Sequence, residues 1–165
     1  MPKVRSSKRI AAALAVSVLL SLSLAGGAYA DSSEDIAPGA LTPPPPVELN
    51  LNSSINLLAN KYLLNYSSSI SKASSTQVNI SGFTSAGQTV DTIGINYVIQ
   101  RWTGSEWQDI GSSSDSGTNR SSLSGVKNFN VTAGYYYRGK TIHWINKSGT
   151  YEDGTYFTNS LLVEK

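Results

Sequence analysis

The residues with the most chemistry in this 165-residue chain lie close together near its C-terminus. The stretch TAGYYYRGKTIHWI, residues 132–145, holds three consecutive tyrosines, an arginine and a lysine, the only histidine and one of the three tryptophans. Aromatic rings beside cationic side chains suit stacking on sugar rings, with charge available for an anionic polymer. The histidine would instead serve a metal site or a hydrolytic centre, and either needs partners from the rest of the chain.

The sequence offers His143 few partners for metal or catalytic chemistry. With no second histidine and no cysteine in the chain, we predict a buried or half-buried structural histidine rather than a metal ligand. No G-x-S-x-G-type turn presents a serine nucleophile, and neither DSGTN nor YEDG has the oxygen spacing of a known calcium loop. Paired carboxylates for glycoside hydrolysis would have to come from turn-like or strand-end positions, namely Asp91, Glu106, Asp109, Asp115, Glu152 or Asp153. We therefore predict a non-enzymatic protein without metal or cofactor, and a hydrolase is kept as an alternative.

A strand that carries this stretch shows a different face at each residue. Arg138 and Lys140 share even parity, and charged side chains are rarely buried without partners. We therefore assign the even residues, Tyr136 to Trp144, to the outer face and the odd residues, Tyr135 to Ile145, to the core. In immunoglobulin-like sandwiches a tyrosine near the start of the penultimate strand fixes the preceding corner through its hydroxyl, and Tyr135 or Tyr137 is placed to do this.

The residues from 76 onward show the alternation of β-strands. TGSE, residues 103–106, is a hairpin signal, and SSSDSGTNRSS, residues 112–122, is interpreted as a long turn-rich connection. Roughly six or seven short strands without a helix between them predict an all-β fold, an antiparallel immunoglobulin-like or fibronectin-III-like β-sandwich over residues 71–165. The predicted core consists of Ile93, Ile95, Tyr97, Ile99, Phe129, Val131, Tyr137, Phe157 and Leu161.

These elements predict where the aromatic residues meet. If the strand that ends at Trp102 is the antiparallel neighbour of the strand that starts at Tyr135, as in immunoglobulin-like sandwiches, Trp102 lies close to Tyr136. The predicted ligand-binding face for a glycan or cell-wall polymer then comprises Trp102, Trp107, Tyr136, Arg138, Lys140 and Trp144. In the alternative interpretation, Trp102 and Trp107 only pair with each other across the hairpin and stabilise the sheet.

The first thirty residues have the pattern of a secretory signal peptide. A basic head, KVRSSKR, precedes an apolar stretch at residues 10–27, and AYA at residues 28–30 predicts cleavage between Ala30 and Asp31. Four of the 13 basic residues lie in this segment, which has no acidic residue, so residues 31–165 hold 9 basic and 11 acidic residues. We expect a secreted, extracellular protein that has no membrane span after cleavage and does not bind nucleic acid.

Two segments separate the predicted signal peptide from the predicted sandwich. Residues 31–53 include the proline run 43–46, which favours an extended chain without internal hydrogen bonds, so we predict a flexible stem. Residues 54–70 combine near-helical spacing of apolar residues with a serine-rich continuation. They are interpreted as a short helical turn followed by an edge strand.

Two longer motifs resemble a known family. YVIQRWTGSEWQDIG, residues 97–111, followed by VTAGYYYRGKTIHW, residues 131–144, is similar to the pattern of small secreted proteins of Gram-positive, Bacillus- and Clostridium-type bacteria that form a domain of unknown function. The resemblance covers roughly residues 75–163. It implies secretion and an all-β domain, and it implies no activity or site residues. The functional alternatives are a secreted glycan-binding module, a structural protein of the extracellular matrix or cell envelope with a protein partner, and a hydrolase.

Overall fold

The computed structural model describes residues 36–47 and 60–165. Six strands follow one another in the second range: β1 (Leu63–Ser74), β2 (Gln77–Trp102), β3 (Trp107–Asn130), β4 (Tyr135–Lys147), β5 (Thr150–Phe157) and β6 (Leu161–Val163). The two ranges contain no helix long and apolar enough to cross a membrane. The predicted signal peptide of residues 1–30, and residues 54–59 of the predicted helical turn, lie outside the described residues.

The longest strand, β2, organises the sheet. Its N-terminal part pairs with β1, its C-terminal part pairs with β4, and β3 runs along its other edge from one end to the other. Both β5 and β6 pair with β4. All five pairings are antiparallel and belong to one six-stranded sheet, which confirms the all-β antiparallel class. The finer assignment to an immunoglobulin-like or fibronectin-III-like sandwich stays a prediction.

The sheet curls, so that its two parts face each other. The pairing of β2 with β3 is interrupted between Ser85 and Val90, and residues on either side of this interruption come into contact. A Cβ atom on Gly139 of β4 would lie 3.1 Å from the Cδ1 atom of Ile80 on β2. Glycine therefore permits the close approach of the two parts at this position, where a larger residue would need its neighbours to move.

The core lies inside the curl. Six of the nine predicted core residues are buried, namely Ile93, Ile95, Tyr97, Ile99, Phe129 and Tyr137. Val131 and Leu161 are partly buried and pack against this cluster. The prediction for Phe157 is wrong. It assumed one strand through Phe157 and Leu161, but β5 ends at Phe157 and β6 begins only at Leu161. The alternation of side chains therefore does not continue from one residue to the other. The Phe157 ring instead contacts the guanidinium of Arg138.

The prediction of a turn-rich connection at residues 112–122 is wrong. This segment is the middle of β3 and pairs residue by residue with β2, for example Ser112 with Val98 and Ser116 with Gly94. Glycine, aspartate and asparagine are depleted in strands, and serine is common in turns. The pairing with β2 nevertheless fixes the strand, because it keeps one register from Gln77 to Ser85 and a second register from Val90 to Ile99.

One tyrosine fixes the corner before β4. The Tyr137 hydroxyl donates to the carbonyl oxygen of Thr132 at 2.8 Å and accepts from the Thr132 N–H at 3.0 Å. Burial raises the pKa of Tyr137, so the hydroxyl keeps the proton that it donates. The predicted corner function is confirmed for Tyr137, which spans five residues to reach its partner.

Residues 36–47, part of the predicted flexible stem, contact the sheet at the same end as this corner. The Leu41 N–H donates to the Gly134 carbonyl oxygen at 2.7 Å. The Pro43 carbonyl oxygen accepts a hydrogen bond from the Trp102 indole Nε1–H at 3.1 Å, and Thr42 between them is buried. The sequence interpretation did not include these contacts.

A single carboxylate fastens the start of β1 to β5. Glu152 accepts hydrogen bonds from the backbone N–H groups of Lys61 at 2.8 Å, Tyr62 at 2.8 Å and Leu63 at 2.7 Å. Burial tends to raise the pKa of this carboxyl, but the three backbone donors outweigh that effect and hold the pKa of Glu152 below its usual value. Glu152 thus remains an ionised acceptor at neutral pH.

Candidate functional site

The β2–β3 hairpin brings two tryptophans together. In the turn, Thr103 N–H donates to the Glu106 carbonyl oxygen at 3.0 Å, and Trp102 and Trp107 are direct partners in the ladder. Their ring centroids are 5.4 Å apart with the planes tilted by 54°. Trp102 is only 6% exposed because Pro43 lies against it and accepts its indole hydrogen bond. The predicted exposure of Trp102 on the binding face is therefore wrong, whereas Trp107 is half-buried.

Arg138 is positioned by the pairing of β4 with β2. The register sets Arg138 opposite Gln100, and its Nε–H donates to the Gln100 Oε1 at 2.7 Å. The Gln100 amide in turn donates to Asp109 Oδ1 at 2.6 Å. The buried amide of Gln100 therefore links the arginine to a carboxylate on the hairpin and fixes the direction of the guanidinium.

The guanidinium of Arg138 also lies between two aromatic rings. Its central carbon is 4.4 Å from the ring centroid of Trp107 and 4.7 Å from that of Phe157. At these distances the negative faces of the rings attract the cation. Arg138 therefore retains its charge on the outer face while being held from both sides.

A small cleft opens beside Arg138, and we call it the Trp107 cleft. Its volume is about 220 Å³, and it is lined by Pro45, Pro46, Val47, Trp107, Arg138, Thr158, Asn159 and Ser160. The Thr158 hydroxyl accepts from the Gly139 N–H at 2.9 Å and donates to the Asn159 carbonyl oxygen at 2.8 Å. This pair of bonds holds the wall that follows β5.

The structure brings only part of the predicted binding face together. Trp102, Trp107 and Arg138 meet, whereas the β2–β4 pairing ends one residue before Trp102 would be opposite Tyr136. Lys140 is half-buried and follows two residues along β4. Trp144 is six residues from Arg138 on the same strand, which is about 20 Å. It therefore belongs to a different part of the face.

The surroundings of Trp144 are those of a packed residue. Its ring lies directly over Gly94, its neighbour in the ladder, and its centroid is 6.3 Å from that of Tyr151 in a stacked arrangement. Its indole Nε1 is 3.4 Å from the Asn96 Oδ1. Gly94 is required here because a Cβ atom would overlap the indole ring.

Sequence reasoning missed Gln100, Phe157 and the proline-rich wall of the cleft. Gln100 shares the even parity of Trp102, and that parity could have placed it beside Arg138. Phe157 was assigned to the core. Pro45 to Val47 are more than 50 residues away in sequence from Trp107, and no local pattern connects them.

His143 lies in a separate polar cluster inside the curl. It is fully buried, as predicted for a structural histidine. Its Nδ1 is 2.7 Å from the Thr84 hydroxyl, and its Nε2 is 2.8 Å from the Thr141 hydroxyl and 3.1 Å from that of Ser68. The ring of Tyr66 stacks on the imidazole with centroids 5.1 Å apart. Burial lowers the pKa of His143 to about 4, so the imidazole is neutral at neutral pH.

Four of the six acidic residues considered for catalysis have structural partners. Asp91 accepts from Lys147 Nζ at 3.1 Å and from the Ser148 N–H at 2.7 Å. Asp115 forms an ion pair with Lys127 at 2.6 Å. Asp109 and Glu152 have the partners described above. Within residues 36–47 and 60–165, no group of three or more His, Cys, Asp or Glu side chains could hold a metal ion.

No protein-family model matches the chain, and no curated protein matches it. The solved crystal structure of a protein from Archaeoglobus fulgidus is similar to part of it, with 13% sequence identity and a TM-score of 0.34. The similarity covers 60% of this chain and 94% of that chain. It is too low to carry an argument about fold or function.

Proposed function

We propose that this protein is a non-catalytic binding module whose Trp107 cleft holds one unit of a glycan or cell-wall polymer. One observation carries the proposal: an oriented arginine and a half-buried tryptophan line the same cleft on the outer face. Small-molecule sites typically combine an aromatic wall with a few placed polar groups. The Trp107 cleft has this composition.

The size and chemistry of the cleft define the ligand class. Its volume of about 220 Å³ is below the 300 Å³ or so at which small-molecule pockets usually begin, so it suits a single ring of a longer polymer. The positive charge of Arg138 beside the cleft favours an acidic substituent over a neutral one. We therefore favour an anionic polysaccharide or an anionic cell-wall polymer over a neutral one.

The other predicted face residues have different functions in this proposal. Trp102 supports Trp107 from the buried side, and Tyr136 and Lys140 flank Arg138 on β4. Trp144 is left out of the cleft because of its distance along the strand. It provides a matched control: a half-buried tryptophan on the same face, outside the proposed site.

A retention assay tests this proposal. The mature chain is passed over insoluble polysaccharides and over cell walls with and without their anionic polymers, and the bound fraction is measured. We expect Trp107→Ala to weaken retention at least about tenfold, the scale for losing an aromatic residue that lines a binding site, and Trp144→Ala to leave it unchanged. No retention of the natural chain on any polymer, or equal losses in the two variants, would contradict the proposal. Circular dichroism confirms that both variants fold.

The cellular setting and the finer fold are proposed with the function. An extracellular location after cleavage between Ala30 and Asp31 is supported by the basic-then-apolar pattern and the AYA motif, and N-terminal sequencing of protein from culture medium tests it. Relatedness to the family of small secreted Gram-positive proteins is supported by the two quoted motifs. A relationship to immunoglobulin-like sandwiches is supported by the tyrosine corner at Tyr137.

The alternative function is that of a structural protein of the matrix or cell envelope. One specific observation favours it, the length of β3 along the edge of the sheet. A strand edge recruits proteins rather than sugars, because its exposed groups are backbone donors and acceptors.

A further inference from the structure

Strand β3 forms an open edge of the sheet. Among the described residues it pairs with β2 alone, although it is 24 residues long. In an edge strand the alternate backbone N–H and C=O groups point away from the partner and can pair with another strand. Proteins protect such edges by keeping them short, by proline, by charged side chains or by bulges; β3 is long and contains no proline, and its protection is limited to a few charged residues and two register shifts. Its many serines and glycines leave the backbone accessible.

Part of the β3 sequence is symmetric about Thr118. Moving outward from that residue in both directions, the chain meets the same kind of side chain at several matching distances. The matched pairs are Ser114 with Ser122, Ser112 with Ser124, Gly111 with Gly125, and Ile110 with Val126. A strand with this symmetry is complementary to a second copy of itself in antiparallel orientation.

We propose that two copies of this chain join through β3, antiparallel to each other about a two-fold axis at Thr118. Each Ile110 then lies against Val126 of the second copy. The result is one continuous antiparallel sheet across both copies. This proposal is independent of the Trp107 cleft.

The exposure of Ile110 and Val126 supports the proposed register about Thr118. Ile110 is 38% and Val126 58% exposed, and both are among the large apolar side chains that remain exposed. Both have even numbers and lie on the outward face of β3, where the even residues are exposed. Opposite residues in an antiparallel pair lie on the same face and contact each other. The proposed register therefore covers two exposed aliphatic side chains on each copy.

The charges fit the same register. The two acidic residues of β3, Asp109 and Asp115, precede Thr118, and the two basic residues, Arg120 and Lys127, follow it. Antiparallel self-pairing therefore sets the acidic part of each strand against the basic part of the other. Within one chain, Lys127 already forms such a contact with Asp115, at 2.6 Å.

The bend of β3 is compatible with the axis. Asn119, the neighbour of Thr118, has a positive φ of 51°. The interrupted pairing with β2 falls next to it, between the partners Ser122 and Arg120. A two-fold axis at this point superimposes the bend of one copy on the bend of the other. Both arms of the strand can therefore pair.

Because the chain contains no cysteine, single cysteines test the register directly. We expect Thr118→Cys chains to form a disulfide-linked dimer under mild oxidation, since directly opposite Cα atoms are about 4.5–5.5 Å apart, within disulfide range. Ser112→Cys is a matched control on the same strand. In the proposed dimer the two copies of that cysteine lie on opposite arms of the curled sheet, with their side chains on its outer faces, so this variant should not cross-link alone.

Mixing chains that carry different single cysteines gives the decisive comparison of cross-linking yields. Chains with Ser112→Cys should cross-link to chains with Ser124→Cys, and neither should cross-link to itself. This pattern would support the proposed register. Equal yields at all positions would indicate random collision, and a monomeric Thr118→Cys variant would exclude the axis; either result would overturn the proposal.

Sedimentation velocity over a range of concentrations tests the natural chain. We expect a reversible dimer whose dissociation constant rises about tenfold in Val126→Glu, because two cross-strand aliphatic pairs are lost. Leu64→Glu is the control, since Leu64 is also an exposed apolar residue, at 63%, but lies on β1. A natural chain that stays monomeric at every concentration, or an equal weakening in both variants, would overturn the proposal.

Discussion

The two faces of β4 accommodate polar side chains in different ways. His143 on the inner face is fully buried and surrounded by hydroxyl groups, and burial lowers its pKa to about 4. Arg138, five residues earlier on the outer face, lies between Trp107 and Phe157 and binds an amide. Burying a charge costs far more than burying a neutral hydrogen-bonded group. The side chain that can lose its proton is therefore inside, and the one that cannot is held by aromatic rings outside.

The largest expected effect comes from an unpaired polar group on the inner face. Ile95 is fully buried and lies opposite His143 in the ladder. We expect Ile95→Asn to lower the free energy of unfolding by about 4 kcal/mol, because it removes packing and buries an amide without partners. Urea denaturation measures the change. The outer-face control Val98→Asn should cost about 1 kcal/mol or less, and an unchanged melting temperature in Ile95→Asn would show that the core assignment is wrong.

A medium effect on stability is expected from protonating His143 on the inner face. The pKa of His143 is about 4 in the folded chain and about 6.5 when unfolded, so the unfolded chain binds the proton more readily between these values. The contribution to stability is complete above pH 6.5 and is lost as the pH falls towards 4. We expect a loss of about 2 kcal/mol between pH 7.5 and pH 5, measured by urea denaturation at each pH.

The variant His143→Gln separates this effect from the titration of carboxylates. It should be less stable at pH 7.5, and its stability should change little down to pH 5. The pKa values of Asp91 and Glu152 are held below their usual values, so these groups reduce stability only at lower pH. An equally steep decline in His143→Gln and in the natural chain would assign the pH dependence to another group.

The smallest effect is expected on the outer face. Arg138→Met keeps most of the side-chain volume but removes the guanidinium, leaving the buried Gln100 oxygen without this donor. We expect a loss of about 1 kcal/mol, seen as a slightly lower melting temperature. Lys140→Met, two residues along the same face, should change stability by less than about 0.5 kcal/mol. If both variants lose the same stability, the contacts of Arg138 with the rings and with Gln100 contribute nothing specific.

Alternation along β4 allowed both faces of that strand to be predicted from the sequence. Arg138 and Lys140 fixed the parity, and His143 and Tyr137 are buried as that parity requires. The middle of β3 was missed because its residues 112–122 have the composition of turns, and only pairing with β2 makes them a strand. The burial of Trp102 was missed because Pro43, which covers it, is 59 residues away in the chain. Local patterns thus predicted the direction of side chains, and contacts distant in sequence decided what covers them.

The contact between Glu152 and the start of β1 has a consequence for the order of folding. The carboxylate is 91 residues from Lys61, the first of its three backbone donors. Contacts between residues so far apart in sequence form slowly, because a long loop must close before they gain any energy. Synthesis proceeds from the N-terminus, so Lys61 to Leu63 are made long before the acceptor that holds them. The first residues of the sheet to be synthesised are therefore among the last to be fixed in place.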